Sequence, residues 1–512
     1  MAPGTMEGHM SDKKTAVSRR NFLKIAGLTG AGVQAGALIG AGVAAGKDSE
    51  SYTGWESFNP GTQFFDRGPF EFDGPAHLPV GPVQRPSHIT DYVFGRVATF
   101  ERAFEANPDW TLGDPIEDLG LVPELVEFYT RFPERLEWDY RTFSETIPAN
   151  REDTEKYENY YKLAEIYSHG FTAHGRALPS PTEPPEVSDY QMGHEPYTEP
   201  IGDAVPFKNP ELAAEFFKEL AHRYGATLVG ITKTNPNWLY SEGWRGCPRD
   251  FDSSEMPEHW EFAIVIGVPM EWDVILASPQ FSTSYDAYDR VSTVAVRLEG
   301  ALKYAGYPAR AHTPMTGYDL IVPPHAVEAG LGEVGRTGFC ITPEAGGNCR
   351  MAIVTTSLTL ATDRPIDFGV AEFCAKCKLC AESCPSGAMS KADSPDGMVI
   401  RGYEHWYVNN GACYNYWRES MGPMGCRQCV AVCPYSRKDN WLHEIARQVD
   451  PRDPTGVASS SLLWMQKNLF PYPDAEEYRR PPVGRFASFR EPPEFLVSER
   501  YLAVDIVKPK EG

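Results

Sequence analysis

The sequence predicts a mixed α/β (α+β) protein that carries an iron–sulfur unit, and three observations predict it. Strand-like and helix-like segments alternate through residues 206–365. Eight cysteines then crowd between Cys374 and Cys433 in ligand-like spacing. Residues 47–205 differ from both, being rich in Pro, Gly, acidic and aromatic residues with only patchy helical periodicity.

Taken in order, the chain begins with a targeting signal. S-R-R-N-F-L-K at 18–24, with Arg19 and Arg20 adjacent, is a twin-arginine export motif. The weakly apolar, Gly- and Ala-rich stretch 25–45 follows, and Val43-Ala44-Ala45 offers a small-residue cleavage site. That stretch is just long enough to span a bilayer, but its glycines make a poor membrane helix. Residues 1–46 therefore read as a leader and processed signal peptide. Residues 47–205 read as an irregular helical N-terminal region wrapping the next domain, with helices expected at 121–132 and 154–169. A Pro-rich connection, "PSPTEPPEVSDY", occupies 179–190.

The core is expected at 206–365. "NPELAAEFFKELAHRYGATLVGITK" from Asn209 predicts a helix with Pro210 in its first turn, a turn at Gly225 and a strand at 227–232. "EFAIVIGVPM" (261–270) predicts a buried strand, 287–307 an amphipathic helix, and "RMAIVTTSLTL" (350–360) another strand. Residues 366–441 then form the cluster unit, and 442–512 a tail without strong signals.

The cysteine spacing is the sharpest feature. Cys374, Cys377, Cys380 and Cys384-Pro385 follow C-x2-C-x2-C-x3-C-P, the bacterial ferredoxin run, in which the fourth thiolate serves a second cluster. Cys426, Cys429 and Cys433-Pro434 repeat its end, with Cys413 upstream as a displaced leading cysteine. The expected ligand sets are Cys374, Cys377, Cys380 and Cys433 for one [4Fe–4S] cluster, and Cys384, Cys413, Cys426 and Cys429 for the other. Zinc favours separated C-x2-C pairs, and closely spaced cysteines on a turn make poor disulfides. Cys247, Cys340 and Cys349 lack ligand-like neighbours and read as small buried hydrophobes. Twin-arginine export carries folded proteins, so clusters built in the reducing cytoplasm can leave it already ligated.

Composition bounds the rest. Removing the signal leaves roughly 465 residues, enough for two or three domains with large cores. The formal net charge of −22 argues against a nucleic-acid partner, which would call for a basic face. Nothing after the signal is apolar enough to span a membrane.

With these parts assembled, the chain resembles the respiratory reductive dehalogenases. The resemblance is carried by the twin-arginine signal, "VEAGLGEVGRTGFCITPEAGGNCRMAIVTTSL" (327–358), "RPIDFGVAEFCAKCKLCAESCPSGA" (364–388) and the displaced second run. It implies a nitroreductase-like core that binds a base-off corrinoid without a protein lower ligand. Two [4Fe–4S] clusters would pass electrons to the cobalt, and a carbon–halogen bond would be reduced as the terminal step of anaerobic organohalide respiration. It also implies an organohalide substrate (chlorinated or brominated ethenes, alkanes or phenols), a respiratory electron donor and a small integral-membrane anchor protein. The enzyme would sit peripherally on the exoplasmic face of the cytoplasmic membrane.

The resemblance further implies site residues. Tyr288 matches the family's proton donor, with Tyr285 as its competitor, and Arg350 matches the arginine that stabilises the phenolate. Gly330, Gly332, Gly335 and Gly338 would let backbone approach the corrinoid's polar edge, with Arg336 shaping that loop. "AHTPMTGYDL" stands where relatives carry an Asn-Asp-Thr-like element, so His312 or Tyr318 is expected to face the pocket. Trp406 and Trp417, flanking Cys413, are candidate aromatic walls. Two rival readings remain. One is an epoxyqueuosine-reductase-like cobalamin enzyme, for which Asp286 or Asp289 would serve. The other is an exported iron–sulfur electron carrier, which would not need the large core.

Overall fold

A computed structural model describes residues 67–76, 86–148, 200, 203–241, 261–278, 284–314, 317–397, 403–418, 425–436, 453, 455–469 and 496. The export signal, the helix expected at 154–169, the Pro-rich connection and Cys247 lie outside the described residues.

In the N-terminal region, helices α1 (Val93–Ala106), α2 (Pro123–Arg131) and α3 (Pro133–Arg141) gather around Phe100, Trp110, Leu119, Leu125 and Tyr129. Proline opens both α2 and α3, where its missing N–H would have had no helical partner. Inside this small core Arg96 meets Asp139 at 3.1 Å, and Tyr129 donates to the same carboxylate at 2.8 Å. Pairing of this kind is what a buried charge requires.

The central unit begins with α4 (Pro210–Tyr224). Asn209 caps it by accepting from the Leu212 amide at 2.8 Å, and Gly225, at φ +114°, ends it. There follow β1 (Leu228–Lys233), β2 (Phe262–Pro269), α5 (Trp272–Leu276), α6 (Tyr285–Tyr304), β3 (Ala309–His312), α7 (Val322–Glu328), β4 (Glu333–Val334), β5 (Cys340–Ile341) and β6 (Cys349–Thr356). The main sheet has the order β1-β2-β6-β3, and each neighbouring pair is antiparallel. The alternating pattern in sequence suggests parallel strands. Strands β2 and β3, joined through α6, do run the same way, but β6 slots between them in the opposite direction.

Both faces of the sheet are covered. Ile264, Ile266 and Val268 of β2, with Ala352 and Val354 of β6, pack under α4 and α6. Ala263, Val265, Met351 and Ile353 point the other way, toward Trp238, Leu320 and Val327. Double coverage explains why β2 reads as an unbroken apolar run rather than an alternating one.

The cluster segment supplies four short helices, α8 (Val370–Cys377), α9 (Leu379–Glu382), α10 (Asn410–Tyr416) and α11 (Gln428–Ala431). Helix α12 (Val457–Leu469) forms in the tail where no strong signal was expected. Three serines blur its apolar stripe, and Leu463 is the residue it lays against Phe373 and Cys377. N-terminal residues reach over both later units. Arg67 Nε donates to the Gly330 carbonyl at 2.8 Å, His88 Nε2 lies 2.9 Å from the Tyr318 carbonyl, and the Phe94 ring meets Tyr414 at 4.9 Å. Among the described residues no helix is long and apolar enough to cross a membrane.

Candidate active site and cluster segments

Local geometry brings the cysteines together. Cys374 and Cys377 ride on α8, whose first amides are met by a side chain from β4: Glu333 Oε1 accepts from Phe368 N at 2.7 Å and Val370 N at 3.0 Å. Burial, only partly offset by those amides, pushes the Glu333 carboxyl up to about 8. After α8 the chain turns sharply at Lys378, whose φ of +55° is rare for a residue with a side chain. Lys378 is held there by an ion pair with Asp393. The turn brings Cys380 back beside Cys374 and Cys377.

The thiols sort by their effects on one another. Cys374, Cys377 and Cys380 are each perturbed by Cys433, while Cys413, Cys426 and Cys429 are each perturbed by Cys384. One influence, of Cys429 on Cys380, crosses between the sets. Burial foremost pushes the Cys377 and Cys426 thiols up to about 12, so ligation there must displace protons. Among the described residues no three His, Cys, Asp or Glu side chains converge on a single ion. A lone tetrahedral zinc would draw its sulfurs to within about 4 Å of each other; a multi-iron body needs wider spacing. The surroundings of the second set fit such a body. Among the described residues, both amide atoms of buried Asn415 and Gln428 have no hydrogen-bond partner. Cluster sulfurs are acceptors that such donors can reach. Cys340 and Cys349 are buried free thiols.

The second set borders a buried cationic group. Ser284 stands at the start of α6 but makes no side-chain cap for it. Instead its Oγ accepts from Arg350 Nη2 at 2.5 Å and from Arg427 Nε at 2.9 Å. One turn along α6, the Tyr288 ring lies under the Arg350 guanidinium, with 5.2 Å from Cζ to the centroid. Burial would raise the Tyr288 phenol; the Arg350 charge, then the Arg427 charge, and hydrogen bonds from Arg427 and Ser284 outweigh it and hold the phenol below its ordinary value. Tyr318 joins the group by donating to the Met351 carbonyl at 2.8 Å, and burial followed by its neighbour Tyr288 keeps its own phenol well above the ordinary range. Tyr285 stands edge-on to Tyr288, with centroids 6.1 Å apart. Arg427 stacks on Trp417 at 4.5 Å. A weakly acidic hydroxyl held between two fixed cations can give up a proton and keep the resulting charge stabilised.

Known proteins resemble this chain in its cysteine segment and beyond it. Residues 373–436 match the 4Fe-4S dicluster domain family. Over 268 residues the chain is 33% identical to a tetrachloroethene reductive dehalogenase of Sulfurospirillum multivorans, covering 46% of this chain and 52% of that protein. The chain is homologous to reductive dehalogenases. It spans about half the length of the curated relatives it matches. A solved reductive dehalogenase, described in connection with B12-dependent dehalogenation, shares its fold with a TM-score of 0.56 at 20% identity, over 81% of this chain and 50% of that one. Epoxyqueuosine reductase of Lactococcus garvieae is a more distant match, 29% identical over 128 residues, 25% of this chain and 35% of that protein. The Asp286 carboxylate is engaged by Arg290 on the same helix at 2.8 Å.

Other expected site residues lie elsewhere. His312 pairs with Ile353 across the β3–β6 ladder and so points to the sheet face opposite Arg350. It is fully buried, with Nε2 3.0 Å from Thr355 Oγ1 and Nδ1 3.4 Å from Asp319. The glycine segment is filled by the protein's own chain: a Cβ at Gly330 would lie 2.3 Å from the Arg364 carbonyl oxygen, and at Gly332 2.0 Å from that of Ile341. Gly335 similarly accommodates the Ile341 side chain. A side chain at Gly330 or Gly332 would therefore displace backbone. Arg336 is 1% exposed and binds the carbonyls of Cys374, Ser390 and Ala392, while stacking on buried Trp406 at 4.8 Å. Both are interior fittings of the first cluster segment.

Two residues escaped the sequence reading, Ser284 and Arg427. Ser284 was visible in principle, four residues before Tyr288 on one helix face. Arg427 sits in C-R-Q-C between two ligands, where a charged residue ordinarily faces solvent; nothing local signals that it turns inward.

Proposed function

We propose that this chain is a reductive dehalogenase, a corrinoid-dependent oxidoreductase that removes halide from an organohalide as the terminal step of anaerobic organohalide respiration. The observation that carries the reading is Tyr288 set between Arg350 and Arg427 beside the second cysteine set. In this reading a corrinoid held in a nitroreductase-like core would supply low-valent cobalt for carbon–halogen reduction, and two [4Fe–4S] clusters would supply the electrons. The chain's own residues do the rest. Cys374, Cys377, Cys380 and Cys433 hold one cluster, and Cys384, Cys413, Cys426 and Cys429 the other. The Asn348 side-chain oxygen, buried and without a partner among the described residues, suits a donor on the amide-bearing rim of a corrinoid. Tyr288 delivers the proton to the dehalogenated carbon, Arg350 and Arg427 stabilise the phenolate left behind, and the Tyr318 and Trp417 rings border the substrate space.

The chain divides, in this proposal, into the signal (1–46), the N-terminal wrapping region (47–205), the corrinoid core (206–365), the cluster unit (366–441) and the tail (442–512). Arg19-Arg20 direct export, and a small integral-membrane protein then holds the enzyme peripherally on the exoplasmic face, where a respiratory donor reduces it. Arg19-Arg20→Lys-Lys should leave an unprocessed cytoplasmic precursor; export of that variant would remove the twin-arginine assignment. The activity is tested by halide release from chlorinated and brominated ethenes, alkanes and phenols, with reduced viologen as donor. Cofactor analysis should find about eight irons and eight sulfides, with one corrinoid, per chain. Turnover by cobalt-free protein would overturn the corrinoid, and zinc in place of iron would overturn the clusters.

A further inference from the structure

The two cysteine sets stand in different polar surroundings. Around the first, Phe373, Leu379, Val432 and Leu463 pack against Cys377 and Cys380. The hydrogen bonds that reach its sulfurs come from backbone, Arg336 to Cys374 and Leu379 to Cys377. The Arg336 guanidinium points its donors at the carbonyls of Cys374, Ser390 and Ala392 instead. Its charge still acts on Cys374, while Lys467 and Glu382, an ion pair at 3.3 Å, act on Cys377 with opposite signs.

Around the second set, side chains donate. Ser386 Oγ lies 3.3 Å from Cys384 Sγ, and because a ligated thiolate can only accept, the hydroxyl must donate. The Gln428 backbone amide donates to Cys426 Sγ at 3.4 Å. Burial and then Cys384 push the Cys413 thiol up to about 11, opposed by the Arg427 charge and a hydrogen bond from the Trp417 side chain. Arg427 acts on Cys426 and Cys429 as well, and it is itself balanced among those sulfurs, the Tyr288 phenol and the Arg350 guanidinium.

Two more side chains complete the contrast. Asn415 lies two residues past Cys413 on α10, and Gln428 opens α11 next to Cys429. They are 3% and 1% exposed, and among the described residues neither side-chain amide has a hydrogen-bond partner. A buried amide left unpaired costs more than a typical hydrogen bond is worth. Cluster sulfurs accept and never donate, so the amide nitrogens are the atoms that suit them. Reduction adds negative charge to those sulfurs, and donors directed at them stabilise the reduced form.

We infer that the side-chain amides of Gln428 and Asn415 donate to sulfurs of the second cluster and hold its reduction potential above that of the first. An electron then moves downhill from the first set to the second, toward Tyr288. The first cluster is oxidised by one electron and the second reduced by one; no bond forms or breaks and no proton is transferred. The inference rests on the two-cluster part of the proposed function and needs neither the corrinoid nor the organohalide.

The test is a redox titration of the fully loaded protein, with paramagnetic resonance following each cluster. The signal that Cys426→Ser erases belongs to the second cluster, and in the wild type it should appear at the higher potential. Gln428→Met and Asn415→Leu remove the amides at similar volume. In each variant the second-cluster midpoint should fall, so that at the wild-type midpoint its reduced-to-oxidised ratio drops by about tenfold, or about 59 mV for a one-electron couple. The first cluster should not move. A wild-type second cluster at or below the first in potential overturns the inference, whatever becomes of the variants. So does a second-cluster midpoint unmoved in both variants. Clusters that titrate as stated in a protein releasing no halide support the inference and remove the dehalogenase reading instead. Protein that binds no iron overturns the clusters and the inference together.

Discussion

The two cysteine sets share a ligand type and a neighbouring motif, an arginine stacked on a tryptophan, yet the motif does different work in each. Beside the first set, Arg336 lies over Trp406 and directs its donors at the carbonyls of Cys374, Ser390 and Ala392. It is consumed in tying strands of chain together. Beside the second, Arg427 lies over Trp417 but holds Ser284 and acts on Tyr288. The first set is thus enclosed by its own loops, and the second opens onto the candidate acid. The same stacked pair of side chains becomes structural or chemical according to what the fold places at the guanidinium's far end.

The largest effects should come from the ligands themselves. Cys377→Ser and Cys433→Ser should each remove the same cluster, and Cys384→Ser and Cys426→Ser the other. Each should lower iron by about four per chain and abolish turnover. Paramagnetic resonance of the reduced variants reads the pairing, and Cys433→Ser erasing the signal that Cys426→Ser erases would reverse the partition.

Next in size is the acid. Tyr288→Phe should retain both clusters and lose about 10²–10⁴-fold in turnover, the range for a positioned general acid. Full activity in that variant would move the acid to Tyr285 or elsewhere. Because the Tyr288 phenol is held below its ordinary value, turnover limited by its protonated form should decline at a pH below about 10, the value for a free phenol. Arg350→Gln should shift that decline upward by removing a stabilising cation, as a pH–rate profile will show.

Arg336→Gln sharpens the contrast. It should leave the pH profile unmoved but strand three carbonyls, lowering stability by about 3 kcal/mol in thermal or denaturant unfolding. A shift in the pH profile instead would make the two arginines equivalent.

The smallest effect concerns Glu333, whose folded value near 8 exceeds that of an unfolded glutamate. The unfolded chain loses this proton near pH 4.5 while the folded one keeps it, so the stabilisation is fully present below that pH and is lost as pH rises toward 8. Glu333→Gln keeps an acceptor for Phe368 N and Val370 N and should flatten this slope in unfolding measurements across pH 4–8; an unchanged slope would place the titration on another group.

Cysteine spacing made the cluster segment legible because a run of four cysteines within a dozen residues is local information. The apolar run of β2 and the helix carrying Tyr288 were legible for the same reason, since burial on both faces and helical period are each written along a single segment. Strand direction was not, because β6 enters between β2 and β3 from some forty residues beyond β3. That Gly330 lies against the Arg364 carbonyl, and Gly332 and Gly335 against Ile341, is likewise visible only in three-dimensional packing. His312 was misplaced by one face, a period-two question that depends on ladder register.

By itself, the sequence determined which residues could be ligands and which segments must be buried, because spacing and periodicity act through covalent neighbours. Tertiary structure decided which charges meet. Ser284, Arg350 and Arg427 lie on three elements separated by up to 143 residues, and no local pattern encodes their convergence. Electrostatics depends on distance through space and on the water excluded between groups, and both are properties of the folded chain alone.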